Sequence, residues 1–244
     1  MTVQFRRLTA ESLISVATFP EIEEINVAFN PRQVLIIVAA VVVVAAAGIY
    51  YVVSRPDSVL PAGASAAAPT ELMVPGPLGE MALGDPKAPN IVIEYMSMTC
   101  PHCQRFHSNV YSEFKKKYVD TGKAYFILRE FPLDPLASAA IVLARCQPKE
   151  QFFPLVDLMF DHQSEWAFVP NPAEALLTLL KQAGFTQESF QACLTNQPIL
   201  DGVNWVRDRA QKQFAVASTP TFFINGTKVA GEQSMAELDK LLGG

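Results

Sequence analysis

The chain reads as an α/β domain with an all-helical insertion, preceded by one N-terminal transmembrane helix. Three observations predict this. A charge-free apolar run occupies Val34 to Val53. Short β-branched apolar runs at Ile91 to Tyr95, Ala124 to Phe131 and Thr221 to Ile224 have the character of buried strands. Between the second and third of them, from about residue 133 to 214, the apolar spacing is helical throughout.

The N-terminal portion comes first. Residues 1–32 mix apolar and acidic side chains and form a tail, expected on the cytoplasmic side. Arg6, Arg7 and Arg32 precede the apolar run, whereas only Arg55 follows it before Lys87, which favours that orientation. The anchor itself spans residues 33–53. The twenty uncharged residues Val34 to Val53 within it make a helix of about 30 Å, the thickness of a bilayer core. Tyr50 and Tyr51 stand at its distal end, where interfacial aromatics belong. Two other readings compete: a buried core helix, and a signal peptide cleaved near residues 62–68, where small residues cluster. Residues 54–77 are dominated by Ser, Ala, Pro and Gly and are expected to be a flexible linker with a reach of roughly 25 Å.

Composition narrows the function classes. Half of the 244 residues are hydrophobic, enough for a sizeable core beside the anchor. The net charge is −5, from 19 basic and 24 acidic residues, so no basic excess points to nucleic acid. The only histidines are His102, His107 and His162, few ligands for a metal enzyme. Four cysteines, Cys100, Cys103, Cys146 and Cys193, suit two disulfides.

The globular region is read as residues 78–244. Ile91 to Tyr95 forms a first strand, bounded by Pro89 and Asn90. Ser97 to Cys103 (SMTCPHC) then turns into a helix, with Pro101 at a first helical position. Cys103, Phe106, Val110, Phe114 and Tyr118 make one apolar helix face. Ala124 to Phe131 is the next strand. Helical patterns follow at Ala137 to Cys146, Gln151 to Phe160, Pro172 to Ala183 and Pro198 to Phe214, punctuated by prolines and Gly184. Thr221 to Ile224 and Lys228 to Ala230 are strands joined by an Asn225-Gly226 turn, and Met235 to Leu242 is a last helix.

The chemistry concentrates at Cys100, Pro101, His102 and Cys103. In disulfide exchange a thiolate is both nucleophile and leaving group. A helix N-terminus offers free N–H groups and a positive dipole end, which stabilise an anionic sulfur. His102 can add a donor or a positive charge. Cys100, at the exposed end of the pair, is assigned the attack, and Cys103, on the inner side, the resolution. The alternatives are half of a zinc site and a purely structural disulfide. The first lacks a second C-x-x-C, and the second ignores the strand–turn–helix setting.

Leu83 to His107 (LGDPKAPNIVIEYMSMTCPHCQRFH) resembles the DsbA-type thiol:disulfide oxidoreductases of the thioredoxin fold, and the likeness extends over about residues 80–243. It implies a thioredoxin-like mixed sheet whose helical insertion walls a peptide groove. Its second landmark is VASTPTFFING, where Thr219-Pro220 falls at the family's cis proline facing the redox pair. A trans proline at a strand start is the alternative. Glu94 falls where the family keeps a buried acid that relays protons near the resolving cysteine; an exposed edge carboxylate is the competing reading. The family's basic partner on the next strand has no counterpart, since Tyr125 to Leu128 is apolar. Arg105 and His107 read as solvent-facing helix residues.

Cys146 and Cys193, both in the insertion, are expected to pair as a structural disulfide, the alternative being two free buried thiols. Pairing would place the domain in an oxidising compartment, by resemblance the bacterial periplasm. The resemblance further implies a monomer that oxidises cysteine-containing exported polypeptides. Reoxidation would come from a quinone-linked DsbB-type membrane protein, and no cofactor or metal would be required. A dedicated reductant or an isomerase on the same fold is the rival, and a redox-inert binding module a more distant one.

Overall fold

A computed structural model describes residues 70–243 of the chain. The expected tail, the expected anchor and the first part of the expected linker lie outside these residues. Among the described residues no helix is long and apolar enough to cross a membrane.

The linker expected to run to residue 77 gives way to packed structure at Thr70. Thr70–Met73 forms one 3-10 turn, and Leu72 is buried in the cluster with Ile93, Tyr95, Ile127 and Val206. Arg209 secures the segment by donating to the carbonyls of Glu71 and Val74. The physical reason is local: Leu72 and Met73 are large apolar side chains that pack into this cluster.

Five strands make one mixed sheet. They are β1 (Met81–Leu83), β2 (Asn90–Met96), β3 (Ala124–Glu130), β4 (Thr221–Ile224) and β5 (Thr227–Ala230), in the order β1-β3-β2-β4-β5. Only β2 and β3 are parallel. Their crossover is α1, a continuous helical rod made of α-helical Pro101–Phe106, π-helical His107–Tyr111, α-helical Ser112–Phe114 and π-helical Lys115–Val119. The β4–β5 hairpin turns at Asn225 and Gly226, both at positive φ, as this tight turn requires. Asn225 Oδ1 also accepts from Ile91 N at 2.9 Å, tying the turn to the start of β2.

The insertion contributes α2 (Pro135–Arg145), α3 (Phe152–Asp161), α4 (Gln163–Trp166), α5 (Pro172–Leu180), α6 (Gln187–Leu194) and α7 (Gln197–Phe214), and α8 (Met235–Leu242) closes the chain. Alternation along β2 sorts the core. Val92 and Met96 join the large cluster that also holds α1 and most of the insertion, whereas Ile93 and Tyr95 join the smaller cluster with Leu72 and Val206. Glu94, in step with Val92 and Met96, therefore sits on the α1 side of a central strand and is fully buried. The edge-carboxylate reading is thereby excluded.

Candidate active site

The sheet brings the two sequence landmarks together. Tyr95 of β2 pairs with Thr221 of β4, so the chain before β4 lies beside the loop that leaves β2 for α1. That loop ends at Cys100, the N-cap residue of α1, with extended backbone (φ −81°, ψ 118°) and Pro101 next to it. Across from it the Thr219–Pro220 bond is cis, and the Thr219 carbonyl stands 3.3 Å from Cys100 Sγ. Both cysteines carry free thiols. The expected order of access holds, but Cys100 is itself buried, at 5% exposure against 0% for Cys103.

The two sulfurs are driven apart in acidity. Cys100 is pulled down to about 5, first because the Cys103 thiol hydrogen-bonds its sulfur, against burial, which acts upward. Thr219 and the backbone N–H groups of Cys103 and His102 add to the lowering, which is the helix-end stabilisation anticipated from the motif. Cys103 is pushed well up, by burial first, then by the hydrogen bond it gives Cys100 and by the charge of Glu94. At neutral pH the outer sulfur is a thiolate and the inner one a thiol.

His102 acts differently from the expectation. Its exposed ring lies against the Arg105 guanidinium, with Nδ1 3.4 Å from Glu232, and Arg105 also pairs with Glu232 at 3.0 Å. What His102 lends Cys100 is its main-chain N–H.

His107 overturns its reading as a solvent-facing residue. The ring is 2% exposed and lies between Tyr111 and Phe160, at centroid distances of 4.7 and 4.5 Å. Its Nε2 is 3.4 Å from Glu94 Oε2, and its Nδ1 is 3.7 Å from Asp157 Oδ1. These are ion-pair distances rather than aligned hydrogen bonds. Burial opposes the ring's charge, but Glu94 and Asp157 outweigh it and hold His107 up at about 9. One signal in the sequence pointed here: His107 follows Cys103 by four residues, on the apolar face of α1.

Two insertion residues support the cysteine loop without any sequence signal. Gln163 of α4 donates from Nε2 to the carbonyls of Met98 (2.8 Å) and Cys100 (3.1 Å). Asp134 caps α2 by accepting from Ala137 N at 2.8 Å and also accepts from the Thr99 hydroxyl. Farther away, Cys146 and Cys193 form a disulfide between the end of α2 and α6, as expected.

A parallel β2–α1–β3 unit, an antiparallel β4–β5 hairpin, a dithiol at the helix start and a cis proline facing it define a thioredoxin-fold protein with a redox-type cysteine pair. A thioredoxin family model matches residues 78–243, and the chain belongs to that family. Within it the likeness is to the DsbA branch. The structure of Wolbachia pipientis alpha-DsbA1 superposes with a TM-score of 0.64 at 33% identity, over 71% of this chain and 95% of that one. A Rickettsia conorii protein that bears the name of a protein-disulfide oxidoreductase is 34% identical over 154 residues, which is 61% of this chain and 54% of that protein. A Bacillus cereus protein named as disulfide bond formation protein D is 28% identical over 60% of this chain and 70% of its own length. The chain thus spans about half the length of the Rickettsia relative it matches.

Proposed function

We propose that this protein is a thiol–disulfide oxidoreductase that introduces disulfides into exported polypeptides. The observation that carries the reading is Cys100: a sulfur at the first turn of α1, facing cis Thr219–Pro220 and held at about 5. A sulfur this acidic is a good leaving group and favours the reduced state, so the oxidised pair is a strong acceptor of substrate electrons.

Exchange proceeds in two displacements. A substrate thiolate attacks Cys100 Sγ, the Cys100–Cys103 bond breaks, and Cys103 leaves with the electron pair. A second substrate thiolate then attacks the substrate sulfur of the mixed disulfide and releases Cys100 as a thiolate. The substrate has lost two electrons and the enzyme has gained them. Peptide would lie extended along the strip before β4, where Thr219 and Pro220 present main chain beside the sulfur.

The apolar run Val34 to Val53 supports a single-pass inner-membrane anchor with the catalytic domain in the periplasm. The Cys146–Cys193 disulfide suits that oxidising compartment. A quinone-linked DsbB-type membrane protein is the proposed reoxidant. The deciding measurement is the reduction potential of Cys100–Cys103, taken by equilibration in glutathione buffers. A value near that of DsbA, about −120 mV, supports an oxidase, whereas one near that of thioredoxin, about −270 mV, makes the protein a reductant.

A further inference from the structure

In the first displacement Cys103 leaves as an anion into an interior that strongly favours its neutral form. A proton must reach it, and Cys103 itself is 0% exposed. Glu94 is fully buried on β2, its charge acts on Cys103, and neither of its oxygens has an aligned hydrogen-bond partner among the described residues. Behind Glu94 stands His107, one turn beyond Cys103 on α1, at the start of a π-helical stretch. Behind His107 stands Asp157 of α3, whose side chain is 44% exposed and reaches water. Tyr111, along α1, is the other titratable group against the ring, and burial holds its phenol neutral. From α3 the ring meets Asp157 and the uncharged Phe160.

Resting on the exchange reading above, we propose that His107 stores the proton that Cys103 takes up, with Glu94 as the carrier between them and Asp157 as the anchor of the ring. When substrate attacks Cys100, the proton on His107 Nε2 passes to Glu94, and the carboxyl delivers one to the Cys103 sulfur. The ring is left neutral for the moment, its Nδ1–H still directed at Asp157, and Glu94 is again a carboxylate; with both thiols free the ring is held at about 9, so it then regains a proton from water. When Cys103 later attacks Cys100 to restore the disulfide, its proton leaves through Glu94. No proton need enter from bulk water during the displacement itself. The order of acidities agrees: Cys103 lies above His107, so donation runs toward the sulfur. His107 also supplies the positive charge that the strand next to β2 lacks over Tyr125 to Leu128. It touches no substrate and is a positioning residue.

The test is the rate at which reduced glutathione reduces the oxidised full-length chain between pH 6 and 10, expressed per glutathione thiolate. The wild type should show a plateau that falls as pH rises through about 9, where His107 loses its charge. His107→Gln should lower the plateau by roughly 100-fold, the low end for a positioned proton donor, and abolish the fall. Asp157→Asn, at a partly exposed site that tolerates the change, should move the fall to lower pH. A His107→Gln profile that keeps the wild-type shape, or a fall that Asp157→Asn leaves in place, overturns the proposal. Both results would arise with wild-type exchange intact. Failure of the wild type to exchange at all, or exchange that survives Cys100→Ser, would instead sink the parent reading.

Discussion

The side-chain amide of Gln163 donates to the main-chain carbonyl of Cys100 at 3.1 Å, so a residue of the inserted helical domain fixes the backbone that carries the outer sulfur. The same nitrogen also holds the Met98 carbonyl at 2.8 Å. Gln163→Ala leaves two buried acceptors without this donor. The expected cost is about 1–3 kcal/mol of stability, measured by urea unfolding of the oxidised protein. Exchange with glutathione should slow as well, because the sulfur loses its fixed position. Unchanged stability together with unchanged exchange would remove Gln163 from the site.

A second link between insertion and sheet is the buried pair Arg145–Glu130. Arg145 meets Glu130 through Nε, donates from Nη1 to the Gly79 carbonyl at 3.1 Å, and lies over the Phe152 ring. Arg145→Met strands an unpaired carboxylate in the core and should cost about 3–5 kcal/mol. The double variant Arg145→Met/Glu130→Leu should recover most of that loss, since it removes both buried charges. Equal losses in the single and double variants would show that the arginine serves by packing rather than by charge.

Much of this arrangement is legible in the sequence, because the signals are local. Cys100 to Cys103 announces itself by spacing and the Asn225-Gly226 turn by composition, whereas Thr219-Pro220 is legible only through the resemblance to the family. The elements that escaped are β1, α4 and the eight-residue α6, and the first two are very short. Three residues of β1 cannot display an alternation, and four residues of α4 cannot display a helical period. His107 and Glu94 show why sites fare worse than folds. A lone polar residue on an apolar face has the same pattern whether it is solvated or buried, and only the partners decide. The deciding partner of His107, Asp157, comes from an insertion dozens of residues away, where no local rule marks it.

The Cys146–Cys193 disulfide should matter for stability and not for exchange. It closes a loop of about 48 residues, worth at most roughly 4 kcal/mol of unfolded-state entropy. Cys146→Ala/Cys193→Ala should lower the urea midpoint and leave the Cys100–Cys103 potential in place. A shift of that potential would mean that the insertion tunes the redox pair through this link.

The acidity of Cys100 also makes a signed prediction about pH. Its folded value, about 5, lies below the ordinary thiol value of about 8.5, so ionisation stabilises the folded reduced protein. That contribution is complete above about 8.5 and is lost as pH falls through about 5. The oxidised protein has no thiol at this position and lacks the contribution. Cys103, pushed the other way, matters only above the ordinary thiol range, where its unfolded form would ionise first. His107, raised to about 9, stabilises fully below 6.5 and loses its effect as pH rises through 9. It does so in both redox forms, so to first order it drops out of their difference. Urea unfolding of the reduced and oxidised proteins from pH 8.5 down to 4.5 should therefore show the reduced form steadily losing ground to the oxidised form. Thiolate absorbance of the reduced protein should titrate with a midpoint near 5 over the same range. A flat stability difference with a midpoint near 8.5 would mean that the N-terminus of α1 does not hold Cys100 as an anion, and the oxidase reading would lose its physical basis.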